Sequence, residues 1–76
     1  MSTIRDLEHS VSELTLTGMP STTVSKHAAL QIMDNHTLAV VPFAERYREL
    51  IEETLTNQDL GAKEITITRG IITIEI

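Results

Sequence analysis

The sequence predicts a small α+β domain in which three helices pack on a small mixed sheet of about three strands. Two observations lead to this prediction. Apolar residues recur at helical spacing in several segments, and the final stretch, EITITRGIITIEI, alternates isoleucine with polar residues as strands do. The chain has 76 residues, of which 41% are hydrophobic, so we expect one domain spanning residues 1–76.

An apolar stripe predicts a first helix over residues 3–15. Its members recur every three or four positions: Ile4, Leu7, Val11 and Leu14. Thr3 precedes the stripe as a candidate N-cap, and Asp6 follows three positions later, where its carboxylate can return a hydrogen bond to the cap.

A second helix is predicted after the turn residues Gly18 and Pro20. Residues 21–23 offer hydroxyl N-caps, and Asn35 suits the left-handed position that ends a helix. The residues that would line its buried side are Val24, Ala28 and Ile32.

A strand and a third helix follow. The run TLAVV, residues 37–41, is continuously apolar after Thr37 and predicts a strand covered on both faces. Pro42 ends this strand and starts a helix over about residues 43–57. Its expected inward side chains are Phe43, Tyr47, Leu50, Ile51 and Leu55.

The last thirteen residues predict a β-hairpin. The apolar positions switch parity at Arg69-Gly70, and a two-residue turn there places Ile65 opposite Ile74 and Ile67 opposite Ile72. We expect strand 37–41 and strand 64–68 to be parallel neighbours joined by the third helix. The C-terminal strand would then be an unprotected edge on which two copies can pair.

Composition limits the classes of function. The chain has no Cys, a formal net charge of −5 and no basic block, and Phe43 and Tyr47 are its aromatic residues. A core built from aliphatic side chains in so short a chain favours a homo-oligomer. No apolar run is long enough to span a membrane, and the first ten residues do not resemble a secretory signal, so we expect a cytoplasmic protein.

No pattern predicts an enzyme. Ser and His occur without the spacing of a triad or nucleophile elbow, the three histidines are scattered, and the three glycines stand far apart. We therefore expect no catalytic residue, no metal site and no cofactor.

The stretch GMPSTTVSKH resembles the turn and early recognition helix of bacterial helix-turn-helix repressors, including the LacI-type family. The resemblance implies that Gly18 is the turn glycine and Val24 the buried anchor. It also implies that a set of side chains faces DNA: Thr22, Thr23, Ser25, Lys26 and His27.

The apolar stripe of the preceding helix lies on a different face from the one that this motif buries. The family's buried positions fall on Glu13, Leu14 and Thr17, of which Leu14 alone is apolar. The acidic charge balance favours the same alternative, a capped helix that does not read DNA.

The leading prediction is thus a small regulatory protein without enzymatic activity, a homodimer that binds a protein partner as inhibitors, antitoxin-like proteins and phage or mobile-element regulators do. DNA binding by a helix-turn-helix at about residues 10–30 is the alternative. The candidate partner-binding residues lie on the third helix and the hairpin: Glu45, Glu49, Glu52, Glu53, Thr73 and Glu75.

Overall fold

The α+β class, with three helices and a C-terminal hairpin, is confirmed by a computed structural model that describes residues 3–76. The elements in chain order are α1 (Ile4–Glu13), β1 (Thr15–Leu16), β2 (Met19–Thr23), α2 (Val24–His27), β3 (Ala28–Asp34), β4 (Thr37–Pro42), α3 (Glu45–Asn57), β5 (Glu64–Thr68) and β6 (Ile71–Glu75). Among these residues the strands form a two-stranded sheet and a four-stranded sheet, and all neighbouring strands are antiparallel.

Helix α1 begins with the predicted cap. The Thr3 hydroxyl accepts a hydrogen bond from the Asp6 N–H, and the Asp6 carboxylate accepts one from the Thr3 N–H, both at 3.2 Å. These two bonds form a capping box that satisfies N–H groups which the helix itself leaves unpaired. The stripe Ile4, Leu7 and Val11 is buried, as its spacing predicts.

The bounds of the predicted second helix are wrong. Residues 19–23 form β2, which folds back on β1 at a turn containing Gly18, whose φ of 77° favours glycine. Only Val24–His27 is helical, and Ala28–Asp34 is a strand. This strand pairs with β4 across a turn at Asn35-His36.

The segment 28–33 fits both periodicities, which explains the error. Ala28 and Ile32 are four residues apart, as on a helix, but Ala28, Leu30 and Ile32 also alternate as on a strand. Pairing with the apolar β4 gives this segment a ladder of hydrogen bonds, and this pairing stabilises the strand over the helix.

Strand β4 is confirmed, whereas α3 begins later than predicted. Pro42 is the last residue of β4 and α3 starts at Glu45, so Phe43 lies in the connection and is 69% exposed instead of buried. Within α3, Ile51 and Leu55 are buried and Tyr47 and Leu50 are half-buried, which confirms the remaining stripe.

The C-terminal hairpin has the predicted turn and register. Ile65 pairs with Ile74 and Ile67 with Ile72. Arg69 and Gly70 have φ values of 52° and 79°, the positive pair that a two-residue turn of type I′ requires.

The predicted position of this hairpin in the sheet is wrong. The strand order is β3-β4-β6-β5, so β6 lies between β4 and β5 and pairs with both. The C-terminal strand is therefore interior. Both of its edges are paired with β4 and β5, so the expected edge-to-edge dimer cannot form through it. Ile72 and Ile74 are fully buried, whereas β5 carries mostly exposed side chains, so burial favours β6 in the interior position.

Both α1 and α3 cover the same face of the four-stranded sheet. Their apolar side chains form one core with the residues of β4 and β6 that share this face, Leu38, Val40, Ile72 and Ile74. No helix formed by residues 3–76 is both long enough and apolar enough to cross a membrane.

Candidate interaction surfaces

The other face of the four-stranded sheet carries no helix among the described residues. The register places its side chains in three rows across β3, β4, β6 and β5. The central row is Gln31, Ala39, Thr73 and Thr66. Nearest the hairpin turn, Ala29 pairs with Val41 and Thr68 pairs with Ile71. Ile71 is 42% exposed in this part of the open face, opposite Thr68 and close to the larger side chains of Arg48 and Arg69.

Two carboxylates meet at the opposite end of the open face. Glu64 on β5 is directly opposite Glu75 on β6, and the row continues through Thr37 of β4 to Asp34 of β3. Like charges on directly opposed strand positions repel each other. The predicted partner residues Thr73 and Glu75 thus lie on the open face of an interior strand, not at an edge, and Glu64 joins them.

One edge of the sheet, β3, presents main-chain groups of apolar residues. The Phe43 N–H donates to the His27 carbonyl at 2.9 Å, which fixes which pairs of the β3–β4 ladder exchange hydrogen bonds. Because such pairs alternate along an antiparallel ladder, the N–H and C=O groups of Ala28, Leu30 and Ile32 point away from β4, towards the free edge.

The edge of β3 has no charge or proline over residues 28–33. Leu30 and Ile32 are half-buried, and Met33 is 59% exposed. Native sheets usually protect free edges with charged residues, proline or bulges. In β3 the register shifts between Ile32 and Asp34, so the end of the strand is irregular, but residues 28–32 have none of these protections.

The other edge, β5, is better protected. In the β5–β6 hairpin, pairs that exchange hydrogen bonds alternate with pairs that do not, starting from the two-residue turn. The N–H and C=O groups of Ile65 and Ile67 therefore point away from β6, towards the free edge. Charged residues stand at both ends of this short strand, with Lys63 and Glu64 before the isoleucines and Arg69 after them.

The acidic surface of α3 lies on the helix side of the molecule, away from the open sheet face. Glu45, Glu49 and Glu53 are exposed and Glu52 is half-buried. Glu45 is 3.8 Å from Arg48, a surface contact that contributes little energy. The predicted partner-binding residues therefore fall on two separate surfaces.

The candidate DNA-binding residues do not lie along one helix. Thr22 and Thr23 belong to β2, Ser25 and Lys26 are exposed in α2, and His27 is half-buried. Val24 is fully buried, as the resemblance implies for the anchor position, but the long helix that would follow it is β3.

The structure instead joins His27 to α3. Its ring stacks on Tyr47 with 4.2 Å between the ring centroids, and the Arg46 guanidinium lies 4.9 Å from the centre of the Tyr47 ring. The sequence gives no signal for this contact, because its pattern predicts His27 on a second helix, separate from α3.

A cavity of about 400 Å³ opens between α1, the β3–β4 turn and the segment that joins α3 to β5. Its lining comprises Asp6, Leu7, Ser10, His36, Asp59, Leu60, Gly61 and Ile76. A smaller one, about 240 Å³, lies between the hairpin turn and the start of α3 and is bordered by Arg48 and Arg69. Neither was predicted, because each is formed by segments far apart in the sequence.

The turn between β3 and β4 is held by a carboxylate. The His36 N–H donates to Asp34 Oδ1 at 2.7 Å. This bond and further donation from Thr37 lower the pKa of Asp34, against a smaller opposing effect of burial.

Residues 3–76 contain no group of three or more His, Cys, Asp or Glu side chains placed to hold a metal ion. Comparison with models of known protein families finds no match, and a search of curated proteins finds no similar sequence.

Proposed function

We propose that the protein is a small interaction protein without enzymatic activity, which forms a homodimer through β3 and binds a protein partner on the open face of its sheet. The observation that carries this proposal is the combination of an uncovered sheet face with an unprotected edge beside it. Joining two β3 strands would extend both open faces into one continuous surface.

The edge of β3 suits a second copy of the same chain. In antiparallel self-pairing about a two-fold axis at Gln31, Leu30 of one copy faces Ile32 of the other, and both have their main-chain groups directed outward. In this register Asp34, which ends the strand, faces Ala28 of the other copy, two positions after Lys26 in α2, so opposite charges lie near each other at both ends of the seam. Parallel pairing would bring like charges together.

Substitution of Gln31 tests the dimer. Gln31→Lys places two lysines opposite each other at the two-fold axis, and we expect the dimer dissociation constant to rise about tenfold. Gln31 is exposed, so the fold of each copy should be unaffected. The measurement is sedimentation equilibrium over a range of concentrations.

Thr66→Lys is the matched control for this experiment. Thr66 is also exposed and lies at the other end of the same cross-strand row, on β5. It should leave the dissociation constant unchanged. A protein that remains monomeric at all concentrations, or a dimer weakened by Thr66→Lys and not by Gln31→Lys, would contradict pairing through β3.

The open face suits a partner with positive charge. Glu64 and Glu75 repel each other in the free protein, and a lysine or arginine placed between them would remove that repulsion. The opposite end of the face offers the exposed apolar side chain of Ile71. The partner chemistry that we infer is therefore a basic group at the end of the face with Glu64 and Glu75, and an apolar contact residue at the end with Ile71.

Two double variants with the same change in net charge test where the partner binds. Glu64→Gln with Glu75→Gln should abolish retention of a specific protein from lysate, whereas Glu49→Gln with Glu53→Gln on α3 should preserve it. The readout is quantitative mass spectrometry of proteins retained by each variant. If only the α3 variant failed to retain the protein, the binding site would lie on that helix. If neither the original protein nor any variant retained a specific protein, the proposal of partner binding would be contradicted.

A further inference from the structure

The larger cavity has an apolar interior and a polar rim. Leu7 is buried, and Leu60 and Ile76 are half-buried and pack against the core. Asp6, Ser10 and Asp59, by contrast, are exposed. A volume of about 400 Å³ falls within the range of small-molecule sites.

The charge of the rim is negative. Asp6 and Asp59 are carboxylates, His36 is the other ionisable side chain of the lining, and no lysine or arginine among residues 3–76 contributes to it. Each carboxylate accepts one main-chain hydrogen bond at 3.2 Å, Asp6 from Thr3 and Asp59 from Gly61. Because an ionised carboxylate can accept about four hydrogen bonds, both retain capacity for a ligand.

We propose that this cavity binds a small amphiphilic cation, a free amine or amidine that carries an aromatic or branched apolar body. The apolar body packs on Leu7, Leu60 and Ile76 and gains the free energy of burial. The protonated nitrogen stays at the rim, where it donates charge-assisted hydrogen bonds to Asp6 and Asp59. This arrangement leaves no charge buried without a partner.

The cavity is distinct from the surfaces of the proposed function. It lies beside α1 and the segment before β5, and none of its lining residues belongs to the open sheet face or to β3. The two proposals can therefore fail independently.

Phenethylamine is the probe for this site, with 2-phenylethanol as its neutral counterpart. We expect phenethylamine to shift the NMR amide signals of Leu7, Leu60 and Gly61 in a saturable titration of the full chain. The alcohol should bind at least tenfold more weakly, because it lacks the charge that the rim attracts.

A double variant removes the charge while keeping the local structure. In Asp6→Asn with Asp59→Asn, each amide oxygen can still accept the hydrogen bond from Thr3 or Gly61. We expect the dissociation constant for phenethylamine to rise at least tenfold. Glu49→Gln with Glu53→Gln changes the net charge equally at a distant surface and should leave the dissociation constant within twofold of the original.

Three results would overturn the proposal. One is the absence of saturable shifts around the cavity, and another is equal binding of the alcohol. The third is equal weakening by the two double variants, which would indicate general attraction of a cation to an acidic protein. Unchanged amide spectra of the free variants would show that folding is preserved.

Discussion

Individual hydrogen-bonding side chains connect segments that the sequence leaves apart. Thr54 is the example in the core, since it is buried on α3 and its hydroxyl accepts a hydrogen bond from the Thr17 N–H at 3.0 Å. The same hydroxyl donates to the Leu50 carbonyl at 2.7 Å. A threonine on a helix gives no signal of such a role, because the partner lies 37 positions earlier.

Asp34 provides a prediction about pH. The His36 N–H lowers its pKa in the folded state, so the folded protein binds this proton less readily than the unfolded chain. The resulting stabilisation is complete above the ordinary pKa of aspartate, about 3.9, and is lost as the pH falls through the lowered value. We expect Asp34→Asn, whose amide oxygen can still accept the turn hydrogen bond, to lose less stability than the original protein between pH 5 and pH 2.

Urea unfolding followed by circular dichroism at several pH values measures this difference. Glu53→Gln, an exposed change of equal charge on α3, controls for the general effect of charge. If the acid dependence of Asp34→Asn coincided with that of the original protein, the carboxylate would not contribute to the turn as we infer.

Among the secondary-structure elements, local pattern determines α1, β4 and the C-terminal hairpin. Thr3 and Asp6 cap α1, and the change of parity at Arg69-Gly70 specifies the hairpin register. The sequence does not determine β3, because alanine, leucine, glutamine and methionine also favour helices and the apolar spacing fits both structures. The strand is stabilised by pairing with β4, whose residues lie outside this segment.

The hairpin turn provides a prediction at this scale. Arg69 has a φ of 52°, a left-handed conformation that asparagine adopts at lower cost than arginine. We expect Arg69→Asn to raise the free energy of unfolding by about 0.5–1 kcal/mol. Urea unfolding measures this change in the free energy of unfolding.

Thr68→Asn is the control for the turn, because Thr68 is an exposed strand residue next to it. Asparagine is unfavourable in strands, so this variant should be neutral or slightly less stable. A lower free energy of unfolding in Arg69→Asn would contradict this prediction. It would mean that a contact of the arginine side chain stabilises the fold by more than asparagine gains in the left-handed conformation.

At the scale of the whole molecule, charge is unevenly distributed along the sheet. Arg48, Arg69 and Glu45 border the cavity at the hairpin-turn end, whereas Glu64 and Glu75 occupy the far end of the open face. A charged partner approaching the sheet would therefore be oriented before contact. This separation is invisible in the sequence, where acidic and basic residues are interspersed.

The sequence by itself determined the α+β class, the α1 cap, the β4 strand and the hairpin with its register, because each depends on interactions within a short segment. Tertiary structure decided that β6 lies between β4 and β5, that residues 28–34 form a strand, and that one face of the sheet stays open. The physical reason is that strand order and side-chain burial depend on competition between distant segments for the same hydrogen-bonding edge and the same core. No local periodicity records the outcome of that competition.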